Sequence, residues 1–383
     1  MDVFVDWLLE NGVNMANIEI IELNDNERGV KTKFKMKEGN EIMLIPRKLL
    51  ISSIDIDNTE VAQKINDHFD KETFLLKSII NLSVFLLFSM MGHEKYNTFW
   101  DPYFLTLPDN LKHIPLFWTK LELGYLKGSS ILDDIMVKNR IIKQEYLQLK
   151  SLLNEPTDFN IFTLEEYKKI RCLVSSRNFR LTINGKTSTT LVPLADMLNH
   201  SLTADTRWTY NDSQQGYQMV LLKDIESGRE ITDSYGRKSN NQYFIHYGFV
   251  LDENVSTKIT LKLEGLKFEL TENFNSKDSK NILNKLRKSN TDFDRNTIEL
   301  NALKEYKTQL LKTKNKYPKS TTYYKKNKNK GSLNKRNAYL LLLKELEIID
   351  LNLTKVEIIM KAIINGNNET DFSDVNEYLN SLA

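Results

Sequence analysis

The chain has 383 residues, a formal net charge of +2 and 40% hydrophobic residues, the composition of a soluble globular protein of two domains. Near-neutral charge argues against wholesale nucleic-acid binding, so any basic surface must be local. The single cysteine, Cys172, excludes an intrachain disulfide or a cysteine zinc cluster and reads as a small buried residue.

Asp2 is expected to cap a helix over Val3–Asn11, with Gly12 at its end and Phe4, Val5, Leu8 and Leu9 on its apolar side. Asp2, Asp6 and Glu10 give this segment the wrong charge for a signal or transit peptide. No apolar run approaches the roughly 20 residues that span a bilayer. No membrane contact and a cytosolic, also nuclear, location are expected.

Val30, Thr32, Phe34 and Met36 alternate, Gly39 marks a turn, and Ile42–Ile45 is apolar; the pattern predicts a β-hairpin. From about 58 to 160 the spacing turns helical, as in Phe74–Met91 and Ile131–Leu153, and predicts a helical insert. Short strands return over Thr182–Tyr235. Arg207–Tyr210 and Tyr217–Leu222 flank a polar turn, and Gly228 marks another. This order of strands, helical insert and strands predicts an α+β domain over 1–254.

Residues 255–383 predict an all-α C-terminal domain. Within it, Lys312–Arg336 holds nine lysines, one arginine and no acid, and its composition predicts a disordered loop. Its basic residues and tyrosines could touch RNA or serve as a nuclear import signal, but a solvated loop is the simpler reading. Tyr339, Leu342, Leu343, Leu346, Ile349 and Leu353 then keep helical spacing. Thr354 and Glu357 form a capping-box pattern for a further helix ending at Gly366.

The five histidines are scattered without HExxH or cysteine partners, so no metal site is expected. Phosphate-loop, dinucleotide and GxSxG signatures are absent. Two polar clusters stand out. In Leu191-Val-Pro-Leu-Ala-Asp-Met-Leu-Asn-His-Ser201, an apolar strand ends in Asp196, Asn199, His200 and Ser201. Amide and imidazole groups there can clamp a polar ligand, although on spacing alone the cluster reads as a structural knot. In Asp233-Ser-Tyr-Gly-Arg-Lys-Ser-Asn240 and His246-Tyr-Gly-Phe249, three aromatics lie near glycines. They could cage a cation, and taken alone they read as core.

Together the clusters resemble the SET-domain protein methyltransferases, in particular the subgroup with the Rubisco large-subunit lysine methyltransferase and the actin-histidine methyltransferase. Asn26-Glu-Arg-Gly-Val30 resembles the first cofactor loop, with Glu27 where glycine is frequent. Trp100–Pro108 and Ile114–Trp118 resemble parts of the helical insert, and Ser175-Ser-Arg-Asn-Phe179 the segment before the second half. The likeness covers about residues 1–254.

It implies a fold of short sheets closed by a pseudoknot, and S-adenosyl-L-methionine as cofactor. Asn26, Glu27, Arg28, Arg177, Asn199, His200 and Tyr235 would bind that cofactor, with Arg177 on its carboxylate and Tyr235 also catalytic. Asp196, Trp208, Tyr210, Tyr247 and Phe249 would line the acceptor channel.

The implied activity is protein-lysine N-methylation of a non-histone substrate, docked by the helical domain of a monomer. Ribosomal proteins, translation factors and cytochrome c are substrate classes in the family. The histidine-modifying relative has a bulky aromatic where Ala195 stands, so lysine is the expected acceptor and histidine the alternative. An inactive module that only binds a partner is a third reading; retention of Arg177, Asn199, His200 and Tyr235 speaks against it.

Overall fold

The chain divides into two units, one of residues 1–111 with 139–237 and the other of 112–138 with 238–383. The computed structural model describes residues 1–24, 27–90, 98–153, 162–288, 293–366 and 370–382. The boundary therefore falls after Arg237 instead of 254, and 112–138, read in sequence as insert, groups with the C-terminal unit.

In the first unit, short β-branched and apolar runs make the strands β1 (Ile18–Asn24), β2 (Glu27–Thr32), β3 (Glu41–Pro46), β4 (Ile51–Ser52), β5 (Asn178–Ile183), β6 (Lys186–Leu191), β7 (Asn199–His200), β8 (Thr206–Asn211), β9 (Gly216–Leu221) and β10 (Glu230–Asp233). They form three sheets of order β1-β2-β10-β7, β3-β9-β8 and β4-β6-β5. The last holds an unusual buried polar rung. Ser52 and Ser188 share a 2.7 Å hydrogen bond and Ser188 a 2.9 Å one with Thr190, which satisfies hydroxyls that would otherwise be costly to bury.

The expected hairpin is not formed. β2 pairs back onto β1, with Ile20 opposite Val30, while β3 pairs with β9. The sequence reading missed the Ile18–Asn24 strand, which takes the edge of β2 that the hairpin would need. Phe34 is consequently exposed, and Met36 makes only a bridge to Ile225.

The first helix, Asp2–Glu10, buries Phe4, Trp7 and Leu8. Met1, not Asp2, is its N-cap, and no side chain caps it. The apolar helix Phe74–Met90 and the helix Leu164–Arg177 pack together. Thr163 and Glu166 close a capping box that starts the second of these, and its last residue, Arg177, leads directly into β5.

Past Arg237 the second unit resumes with a helix, Asn240–Tyr247, and then a hairpin of β11 (Ile259–Leu263) and β12 (Leu266–Leu270), absent from the sequence reading. Helices follow at Lys277–Arg287, Arg295–Lys314, Thr321–Asn327, Leu333–Asn365 and Ser373–Leu382. They pack around Leu261, Phe274, Tyr306, Leu342 and Ile349.

Residues 312–336 are not a disordered loop. Ser320 and Ser332 cap the helices that follow them, Tyr324 is buried, and the Tyr317 hydroxyl donates to Glu345 at 2.9 Å. Composition suggested disorder because the few aromatic anchors are diluted by lysine and asparagine. Thr354 likewise starts no new helix. It lies inside Leu333–Asn365 and returns its hydroxyl to the Asp350 carbonyl, while Gly366 ends the helix in the left-handed conformation.

Candidate active site

The site is built where β6 breaks. After Leu191 the chain turns through Leu194, held at φ 73° and ψ −47°, near a γ-turn geometry that is strained for a residue with a β-carbon. Burial of the Leu194 side chain holds the turn in place. One short 3-10 turn, Ala195–Met197, then delivers Asn199 and His200 as β7.

β7 runs parallel to β10, with Asn199 opposite Thr232 and His200 opposite Asp233. The other edge of β10 is taken by β2, with Ile231 opposite Val30. Between β7 and β10 the chain leaves for the β8–β9 hairpin and returns, and the Ser201 and Asp205 amides donate to the Asp233 and Thr232 carbonyls. This is the threaded knot that the sequence resemblance implies.

Tyr235 follows β10 directly. Its backbone N–H donates to His200 Nδ1 at 3.1 Å, so that nitrogen carries no proton in this arrangement. Its ring stacks on His200 at 5.1 Å, and its hydroxyl donates to the Leu198 carbonyl at 2.8 Å. One backbone contact and two side-chain contacts thus fix this residue.

Arg177 Nη1 donates to the Asp196 carbonyl at 2.9 Å and to the Asp196 carboxylate at 3.2 Å. Tyr103, from the helical insert, donates to the same carboxylate at 2.8 Å. Burial pushes the Asp196 carboxyl up, against the pull of the Arg177 cation. Burial also raises the Tyr103 hydroxyl well above its ordinary value, with Asp196 adding to it. For Arg177 burial works the other way, but Asp196 and the neighbouring tyrosines outweigh it and keep the guanidinium firmly charged. Among the described residues the buried Arg177 Nε–H and Asp196 Oδ1 have no hydrogen-bond partner. A buried guanidinium N–H without an acceptor is costly, and a ligand carboxylate is the group that best satisfies it.

The side chain of Asn199 is engaged within the protein. Its amide nitrogen donates to the Arg28 carbonyl at 3.0 Å and to Glu230 Oε1 at 2.8 Å, tying β2 to β10. Gly29 lies under this clamp; a β-carbon there would fall 2.8 Å from Glu230 Oε1. Arg28 anchors the same strand through a 2.7 Å bond to the Thr106 carbonyl.

Of the residues expected here, Arg28, Arg177, Asp196, Asn199, His200 and Tyr235 are brought together in the first unit. Asp196 was expected in the acceptor channel; it holds Arg177 instead, because its carboxylate is buried and fully engaged on one oxygen by Arg177 and Tyr103. Trp208 stacks on Tyr217 at 5.9 Å and meets Phe179 edge-on, and its indole pulls the Asp233 carboxyl down against burial. That gives a place to Asp233, which the sequence left without a role. Burial raises its carboxyl, and Thr206 also donates to it at 3.0 Å.

Tyr210 is not part of the group. It is buried, and its hydroxyl points to Gln215 at the turn of the β8–β9 hairpin. Asn26 lies outside the described residues, as does the Glu27 side chain, although the Glu27 backbone pairs with Asn24 in β2. Tyr247 and Phe249 belong to the second unit, where they cluster with Tyr243. Phe249 stacks on Tyr243 at 5.2 Å, and burial pushes the Tyr247 hydroxyl up to about 12.

Sequence reasoning missed Tyr103, Glu230 and Gly29. Tyr103 and Gly29 lay inside quoted motifs, but their partners are remote in sequence. Glu230 carried no local signal.

Comparison with known proteins matches the SET domain to residues 27–236. The actin-histidine N-methyltransferases of Xenopus tropicalis and Homo sapiens are each 26% identical to this chain, over 68% of it. The matches cover 44% and 45% of those proteins, so the chain aligns with less than half the length of these curated relatives. Among solved structures, the SET domain of LSMT bound to lysine and AdoHcy superposes with a TM-score of 0.77 at 17% identity, covering 95% of this chain and 92% of that one. Rubisco LSMT bound to AdoMet gives 0.76 at 17% identity, covering 100% and 96%. The matched span is more than half of the sequence, ends one residue after Tyr235 and contains the whole knot: the chain belongs to the SET-domain family.

Proposed function

We propose that the chain is an S-adenosylmethionine-dependent protein N-methyltransferase whose acceptor is a lysine side chain of a non-histone protein. The observation that carries the cofactor is the buried Arg177 Nε–H, without an acceptor among the described residues and a few bonds from the Tyr235 and His200 group. That donor fits the carboxylate of an amino-acid ligand. The solved neighbours hold AdoMet and AdoHcy, which have such a carboxylate.

When bound, S-adenosylmethionine supplies a methyl group on a sulfonium, already activated for in-line displacement by an amine. The chain's own work is then positioning. Arg177, kept charged and oriented by Asp196, receives the carboxylate. The Asn199–Glu230 clamp fixes the edge of β2. Tyr235, held by Leu198, His200 and its own backbone, presents its oxygen to the incoming nitrogen.

Lysine is favoured by Ala195, a buried residue offering a single methyl group immediately before Asp196. A flat imidazole acceptor calls for a ring wall at such a place, and alanine supplies none. Histidine is the second reading, supported by the activity named for the curated relatives, whose named substrate is actin. Cytosolic and nuclear residence is part of the proposal, and a fluorescent fusion tests it.

The deciding experiment incubates the protein and radiolabelled S-adenosylmethionine with cell extract, then hydrolyses the labelled proteins to amino acids. Label in methyl-lysine is expected. Label in methylhistidine would replace the lysine reading by the second, and no incorporation would sink both.

A further inference from the structure

The segment 312–336 has no part in the reaction above, yet it is ordered and carries a concentrated charge. With its ten cations set aside, acids outnumber cations in the rest of the chain, so the neutral total conceals a segregated basic face. Some of this charge is neutralised locally: Lys314 pairs with Asp350, and Lys328 with Asp252. Lys312, Lys316, Lys319, Lys325, Lys326 and Lys330 form no ion pair among the described residues, and all six are exposed.

Tyrosines interleave with these cations in a defined order. Tyr323 packs edge-on against Tyr324 and Tyr339, and Tyr339 in turn against Tyr125. Lys319 lies over the Tyr323 ring at 5.3 Å, and Lys335 over both Tyr339 and Tyr125 at 5.3 and 5.8 Å. Tyr323 is 38% exposed, with Tyr125 and Tyr339 half-buried behind it. Gly128 extends the face. A β-carbon on it would fall 2.7 Å from Tyr317 Cα and 2.9 Å from the Lys316 carbonyl oxygen, so only glycine lets the chain approach that closely, and exposed Lys127 precedes it in sequence.

We propose that this lysine–tyrosine face of the second unit binds single-stranded RNA. Lysines spaced along a surface match the repeating phosphates. Tyrosine rings offer stacking platforms that accept any base, the combination found in sequence-tolerant single-strand binding. An acidic protein surface would use the lysines but would gain nothing from the ordered ring row. The sequence reading preferred a solvated loop because it took the segment as disordered. Order is what turns scattered residues into a surface.

The test measures fluorescence anisotropy of a labelled 20-nucleotide oligouridine with the full chain across a salt series, with poly-glutamate as competitor. Saturable binding that weakens with salt is expected, with RNA outcompeting poly-glutamate. The Lys319→Gln, Lys326→Gln, Lys330→Gln triple variant should bind at least tenfold more weakly with a shallower salt slope. Tyr323→Ala should weaken binding about tenfold at unchanged slope. Circular dichroism melting confirms that each variant is folded. Should Tyr323→Ala itself melt out, Tyr323→Phe replaces it and should keep wild-type affinity. No RNA binding, wild-type binding by the triple variant, no loss with Tyr323→Ala, or equal competition by poly-glutamate each overturns the proposal, the last in favour of an acidic polypeptide.

Discussion

Tyr103 and Asp196, 93 positions apart, meet in a 2.8 Å hydrogen bond that joins the helical insert to the Asn-His knot. Asp196 also holds Arg177, so the insert acts at one remove on the site proposed for the cofactor. Tyr103→Phe removes one partner from a buried carboxylate. It should cost about 1–3 kcal/mol of stability and weaken S-adenosylmethionine binding, read by thermal melting and calorimetry. Unchanged cofactor affinity would mean that Arg177 does not depend on this support.

Tyr235→Phe loses the 2.8 Å bond to Leu198 but keeps the ring on His200. Cofactor binding should persist while turnover falls by about a hundredfold, within the range for a positioned hydroxyl. Single-turnover assays with labelled cofactor separate the two effects; wild-type turnover would remove Tyr235 from the mechanism.

Gly29→Ala pushes a methyl group into the Glu230–Asn199 clamp. The expected cost is about 1–3 kcal/mol in urea unfolding, accompanied by weaker cofactor binding. In the Gly29→Ala, Glu230→Ala double variant the clash partner is gone, so the two losses should be markedly less than additive. Simple additivity would show that the clamp is not what makes glycine necessary.

Glu345 is a pH-sensitive group of the second unit. Burial pushes its carboxyl up to about 7, although Ser129 and Tyr317 both donate to it. Unfolded, it titrates near its ordinary value of about 4.3. Between those values the folded state holds a proton that the unfolded state lacks. Stability from this group is therefore full below the lower value, falls as pH rises, and is lost above about 7. Glu345→Gln mimics the protonated form. It should match the wild type in urea melts at pH 4.5 and exceed it at pH 8 by on the order of 2–3 kcal/mol. An equal difference at both pH values would contradict the buried-carboxyl account.

The sequence showed the order of strands and helices, the helical insert, and the residues Arg177, Asn199, His200 and Tyr235, because these lie in contiguous motifs. It did not show pairing partners. The hairpin expected from Val30 and Ile42 failed because periodicity reveals that a strand exists, not which edge it meets. The contact of the Asn199 amide with Glu230 was not legible because Glu230 lies 31 residues away in an ordinary strand. Residues 312–336 were misread for a related reason. Composition averages over a segment, whereas a single buried tyrosine, Tyr324, together with two serine caps, is enough to order it.

The pairing of Ile231 with Val30 has a consequence for biosynthesis. The N-terminal strands leave the ribosome early, but β2 keeps an open edge until β10 has been made. The His200–Tyr235 stack must wait for the same event. Cofactor binding should therefore switch on abruptly in nascent chains once Tyr235 clears the exit tunnel, and until then that open edge is the surface most in need of a chaperone.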